Sequence, residues 1–267
     1  MKVSHEVPLH YLEASKRFND YDYALVHLFP ECSEYKEFFI NSIKEGRQVL
    51  LDNSAYEICT NPNLLKKYPS GYFPEEVYVK YIQELNPTWF VLPDKRDDGF
   101  GTIEVVKRWF SNHSNILSKT IGVVHGHTFD EMQECYDYLS SVCDKLAFSF
   151  ESWWFDYAEE NNIPLSNIRY EIINHLSINK NKPHHLLGCI LPNEFKLWKD
   201  TSWIETIDTS APITNAIEDR EIKPKMTDKP KTTIHGSFYI DYSEEVAERM
   251  SKNTKLFKQY YITTRTA

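Results

Sequence analysis

The sequence lacks any long apolar run, any paired cysteine motif and any excess of basic charge. In 267 residues no stretch approaches the roughly eighteen apolar residues of a membrane helix. The amino-terminal MKVSHEVPLH has no apolar core of the kind a signal peptide needs, so the expected compartment is the cytoplasm. The five cysteines, Cys32, Cys59, Cys135, Cys143 and Cys189, show no C-x-x-C spacing and read as reduced, mostly buried thiols. No metal site, redox centre or cofactor is therefore expected. Lys and Arg number 30 against 39 Asp and Glu, a formal net charge of -9. That excludes a protein coated in basic surface, but not a local patch for nucleic acid, since affinity follows local charge.

What is present is a globular composition, 41% hydrophobic and 26% charged, sufficient for one large α/β domain spanning residues 1–267. Short apolar runs recur at Tyr23–Phe29, Gln48–Leu51, Trp89–Leu92, Ile121–Val124, Leu146–Phe150, His185–Ile190 and Ile204–Ile207. Each is apolar on both faces, the pattern of a buried parallel strand. Helical spacing fills the gaps at Glu34–Glu45, Pro74–Leu85, Thr102–Ser111, Thr128–Cys143, Ile168–Ile178 and Asn193–Lys199. Strand alternating with helix predicts an α/β fold, a (β/α)8 TIM-type barrel, with an eighth strand placed at Thr232–Tyr239. The polar, proline-containing stretch 220–231 reads as a loop or strap, and Tyr242–Tyr261 as a C-terminal helix with a break near Asn253.

Barrels of this type hold their chemistry at the carboxyl ends of the strands. There the sequence sets Asp52-Asn53-Ser54, Pro93-Asp94, His125-Gly126, the stretch Ser149–Trp154, and Asp208 in IETIDTSAP. Any one could be a helix cap or turn residue. Their recurrence at successive strand ends points instead to paired carboxylates, which nucleophilic and acid/base chemistry at a sugar carbon requires. Basic pairs at Lys66-Lys67, Lys95-Arg96 and Lys107-Arg108, and the segment from Arg220 through Lys223 and Lys225 to Lys231, are candidate phosphate contacts or simply solvated faces.

The runs QVLLDNSAYE, IGVVHGHTFDEM, HHLLGCILPNEF and IETIDTSAP, in that order from Gln48 to Pro212, resemble the tRNA-guanine transglycosylase superfamily. The resemblance implies base exchange through a covalent aspartyl-glycosyl intermediate. Asp208 falls at the nucleophile and Asp52 at the acid/base. Tyr56 falls where the family stacks an aromatic on the base, Asp94 where a carboxylate reads the guanine-type N–H edge, and His125-Gly126 where the family has Gln-Gly. Ser149 and Phe150 fall in the segment lining the base pocket.

The chain departs from that family in two respects. Phe148–Trp154, FSFESWW, is bulkier than the family's glycine-rich segment, and the three cysteines and histidine that bind zinc after the nucleophile are missing, with only His235 available there. A zinc-less relative resembles the phage branch that exchanges guanine in DNA for a 7-deazaguanine such as 7-cyano-7-deazaguanine, which would place it in host cytoplasm. The expected partners are DNA, single-stranded or with a flipped guanine, and the free 7-deazaguanine base, in a homodimer or with a partner protein. Phe150, Trp153 and Trp154 are candidates for filling the gap left by a flipped base. A tRNA or other RNA substrate, and a non-catalytic barrel that only binds a base or nucleic acid, remain alternatives.

Overall fold

The computed structural model describes residues 1–189, 191–223 and 234–262. Its strands are β1 (Lys2–Ser4), β2 (Asp22–Leu25), β3 (Val49–Asp52), β4 (Trp89–Val91), β5 (Lys119–Val124), β6 (Lys145–Phe148), β7 (His184–Leu186) and β8 (Ile204–Asp208). They belong to one sheet in the order β1-β8-β7-β6-β5-β4-β3-β2. With helices between successive strands, this is the α/β (β/α)8 arrangement of a TIM-type barrel that the alternating pattern predicts. No helix among the described residues is long and apolar enough to cross a membrane.

Three expectations need correction. The eighth strand is not at Thr232–Tyr239: Ile234–Ser237 is a 3-10 turn, and residues 232–233 lie outside the described residues. The missing strand is β1, only three residues long, whose sequence KVS offers no apolar run to detect. The run Tyr23–Phe29 is also not one strand. It ends at Leu25 and turns through the 3-10 segment Val26–Leu28, whose three residues are all buried, so burial kept it apolar without keeping it extended. Ile190 and most of the stretch 220–231 lie outside the described residues. The C-terminal segment is helical over Glu244–Phe257 and continues as a π-helical turn over Lys258–Ile262. Asn253 does not break it, because its buried amide accepts from Ile222 N–H and donates to the carbonyls of Arg220 and Pro212.

The chain divides into two compact units, residues 21–151 with 181–183, and residues 1–20, 152–180 and 184–267. In the first, β2 to β6 pair in chain order, with Leu25 beside Asp52, Leu51 beside Phe90, Val91 beside Ile121 and Val124 beside Phe148. Helices Ser33–Lys44, Glu75–Leu85, Gly99–Asn112 and Phe129–Val142 link them. The last two begin where a side chain satisfies an orphan backbone N–H: Asp98 accepts from Gly101 at 2.7 Å and Thr128 from Glu131 at 3.2 Å. Each such cap stabilises its helix by about 1 kcal/mol. In the second unit β8 lies between β1 and β7, so that Ser4 stands beside Asp208 and Leu186 beside Ile207.

Candidate functional site

In the unit comprising residues 21–151 with 181–183, four strand ends converge through hydrogen bonds. Asp52 closes β3 and is followed by Ser54 in the left-handed region at φ 61°, a conformation a non-glycine residue holds only when its surroundings fix it. Here Asp52 Oδ1 accepts from Ser54 N–H at 2.6 Å, Asn53 Oδ1 accepts from Ala55 N–H at 2.9 Å, and Ser54 Oγ accepts from His27 N–H at 3.3 Å. Asp52 Oδ2 accepts from the Tyr23 hydroxyl at 2.8 Å. Burial, then the charge of Glu57, holds the Asp52 carboxyl well above the ordinary range, against the opposing effect of its two donors. It therefore keeps a proton where an exposed aspartate would not.

Asn53 carries the network to the next strand end, donating to Leu92 O at 2.7 Å and to Asp94 Oδ1 at 2.5 Å. Asp94 Oδ2 lies 2.6 Å from His125 Nε2, and His125 Nδ1 lies 2.7 Å from Glu151 Oε1. Asp94, His125 and Glu151 are 4%, 2% and 1% exposed, so the cluster is buried, with Asp94 its least covered member. Burial pulls the imidazole pKa down, but the Glu151 charge and the hydrogen bonds to both carboxylates outweigh it and push it up to about 10.

Gly126 has no room for a side chain, since a Cβ there would stand 2.7 Å from Met132 N. Its identity thus serves the packing of the helix Phe129–Val142. Tyr56 is exposed, with the Arg96 guanidinium 5.1 Å over its ring. Ser149, Phe150, Lys95 and Arg96 are half-buried.

In the other unit the centre is Asp208, 3% exposed at the end of β8. Its Oδ1 accepts from Gly188 N–H at 2.9 Å and lies 3.2 Å from His185 Nε2. His185 Nδ1 is in turn 2.9 Å from Thr206 Oγ1. Gly188 sits at φ 56°, the left-handed turn that aims its N–H at the carboxylate. That turn is pinned by Arg169, fully buried, which forks onto Glu194 at 2.6 and 3.0 Å and donates to Leu187 O at 2.7 Å and Cys189 Sγ at 2.8 Å. Burial lowers the Arg169 pKa, yet the surrounding Cys189, Glu194 and Asp208, with the hydrogen bonds to Glu194, more than reverse this, and the guanidinium stays charged. His5 is held neutral by burial, its pKa lowered to about 4, and its Nδ1 lies 2.9 Å from Thr209 O.

Arg220 is paired with Glu218, and Lys223 is exposed. Lys225 lies outside the described residues. Trp153 is half-buried, whereas Trp154 is fully buried and cannot stack on a base as its position in the sequence suggests. Sequence reading missed Tyr23, Glu151, Arg169, His185 and Glu194. The cue for Glu151 was a lone carboxylate in an otherwise aromatic run, and for Arg169 an arginine in a helix whose neighbours Ile168, Ile172 and Ile173 are all core residues. Among the described residues no group of three or more His, Cys, Asp or Glu is arranged to hold a metal ion.

No protein-family model matches this sequence, and no curated protein does. Among solved structures, one titled "Native KDPGal structure" is similar over 97% of this chain and 93% of that chain, with 8% sequence identity and a TM-score of 0.48. An identity and a score that low carry no function across.

Proposed function

We propose that the protein is an enzyme, a DNA-guanine transglycosylase that replaces guanine with a 7-deazaguanine base through an aspartyl-glycosyl intermediate. The observation that carries this reading is the contrast between two strand-end aspartates. Asp208 is met by a backbone N–H and a histidine, while Asp52 is buried beside acidic neighbours that keep its proton on. A carboxylate steadied by donors suits a nucleophile, and a carboxylic acid that retains its proton suits a general acid.

In the proposed reaction an Asp208 oxygen attacks C1′ of the deoxyribose and the bond from C1′ to the guanine N9 breaks. The departing base takes a proton from Asp52. The incoming 7-deazaguanine then gives its N9 proton to the Asp52 carboxylate and attacks C1′, and the Asp208 ester bond breaks. This is the double displacement of a retaining glycosidase, with a base in place of water.

The test is mass spectrometry of nucleosides from DNA and tRNA after co-expression with a 7-cyano-7-deazaguanine supply. A 7-deazaguanine deoxynucleoside in DNA is expected. The modified nucleoside in tRNA alone would move the substrate to RNA, and its absence from both, with folded protein present, would reject base exchange. Asp52→Asn should slow exchange roughly 10²- to 10⁴-fold, and rapid acid quench followed by peptide mapping should place a sugar on the peptide containing Asp208. A sugar on position 52 in the wild type would reverse the two roles.

A further inference from the structure

The placement of His125 does not fit a residue that touches a base. Both ring nitrogens are used, Nε2 at 2.6 Å from Asp94 and Nδ1 at 2.7 Å from Glu151, and both partners are buried carboxylates. A neutral imidazole has one donor and one lone pair, so it would turn that lone pair towards a carboxylate oxygen. Only the imidazolium donates at both ends. The groups around it leave it as the positive charge of this cluster. Asp94 follows β4 and Glu151 follows β6; burial, and to a smaller extent Asp97, raises Glu151 against the opposing pull of His125, and Asp52, raised mainly by burial, is raised further by Asp94. From the helix Phe129–Val142, Glu131 adds a negative charge, and Cys135, hydrogen-bonded to the His125 backbone, is a neutral thiol pushed up to about 12 by burial.

Asp94 is equally constrained. Its Oδ1 receives Asn53 and its Oδ2 receives His125. A carboxylate oxygen accepts two hydrogen bonds, so each keeps one acceptor site.

We infer that His125 is a positioning residue rather than a base contact. Backed by Glu151, it holds Asp94 fixed, leaving one acceptor site on each oxygen for a ligand edge with two adjacent N–H donors. The identity of that edge as guanine-type rests on the proposed function; the charge and role of His125 do not. Glu151 thereby gains a task, as the anchor that keeps the ring charged.

The experiment is long-range proton–nitrogen NMR on the full chain labelled with ¹⁵N-histidine, alongside calorimetric binding of guanine and 7-cyano-7-deazaguanine. In the wild type, His125 should show the doubly protonated pattern from pH 6 to about 8.5, with base affinity unchanged over that range. Removing the charge behind the ring with Glu151→Gln should bring the His125 midpoint down into that range. Base affinity should then fall roughly ten-fold as pH rises through the midpoint, the loss of one charge-assisted contact. His125→Gln, which can still donate to Asp94 but carries no charge, should bind roughly ten-fold more weakly at every pH. A merely structural His125 would lower melting temperature in these variants without linking affinity to a ring midpoint, and that result overturns the inference. A neutral tautomer in the wild type at pH 7 also overturns it. Wild-type protein that binds neither base while the ring is doubly protonated rejects the guanine-type edge and the transglycosylase reading together, and leaves the charge assignment standing.

Discussion

Asp52 and Asp208 occupy the same kind of position, the last residue of a buried parallel strand, yet the two units treat them oppositely. Around Asp52, burial first and then the acidic neighbours Glu57 and Asp94 raise its pKa, and the donors Tyr23 and Ser54 offset this only in part. Around Asp208 the neighbours donate, Gly188 through its backbone and His185 through its ring, and the Arg169 guanidinium is close enough for the Asp208 charge to stabilise it. Strand position alone therefore does not set the chemistry of a carboxylate. Burial and the groups packed around it do, by deciding whether its charge is shared or compensated.

The largest effect should come from breaking the Asp208 side of that contrast. Asp208→Asn keeps the size and the hydrogen bond from Gly188 but removes the nucleophile, because an amide cannot form the glycosyl ester. Incorporation of labelled guanine or 7-deazaguanine into DNA should fall by roughly 10⁴-fold or more. Turnover at the wild-type rate by this variant would end the mechanism.

Next in size is the buried pair beneath Asp208. Arg169→Met leaves Glu194 buried without its partner and should cost about 3 to 5 kcal/mol of stability, read by denaturant unfolding. Adding Glu194→Leu removes the orphaned charge and should recover most of that loss, since an apolar replacement of a whole buried pair is often neutral. Exchange activity should stay depressed in the double variant, because the Arg169 bonds to Leu187 O and Cys189 Sγ on either side of Gly188 are then lost. Full activity in a restored double variant would mean that the pair serves the fold alone.

How much of this was legible in the sequence follows from distance along the chain. The strand ends could be found because each apolar run ends in a polar residue, and Asp52, Asp94, His125 and Asp208 all emerge that way. β1 could not, since three residues reading KVS carry no pattern of their own and become a strand by lying beside Thr206, Ile207 and Asp208. The partners that set protonation were equally silent. Tyr23 meets Asp52 across 29 positions, Glu151 meets His125 across 26 and His185 meets Asp208 across 23, so each is a tertiary contact with no local signature. Trp154 was misjudged for the same reason: an aromatic run looks alike whether its rings face a ligand or the core.

The smallest and sharpest test lies on the Asp52 side. The folded protein binds the Asp52 proton more tightly than the unfolded chain does. The stabilisation linked to it is therefore present below the ordinary carboxylate range and is lost as pH rises through the raised pKa. Asp52→Asn should consequently melt at a higher temperature than wild type at pH 8, by about 2 to 4 °C per kcal/mol recovered, with little difference at pH 4. Tyr23→Phe acts in the opposite sense on the same group. It removes a donor that stabilises the carboxylate, so the Asp52 pKa should climb further and the basic limb of the exchange profile should move to higher pH. The shift should match the loss of one hydrogen bond to a charged group, roughly 1.5 to 3 kcal/mol at most. A limb that moves to lower pH, or one unmoved by Tyr23→Phe, would show that the proton governing exchange is not held by Asp52.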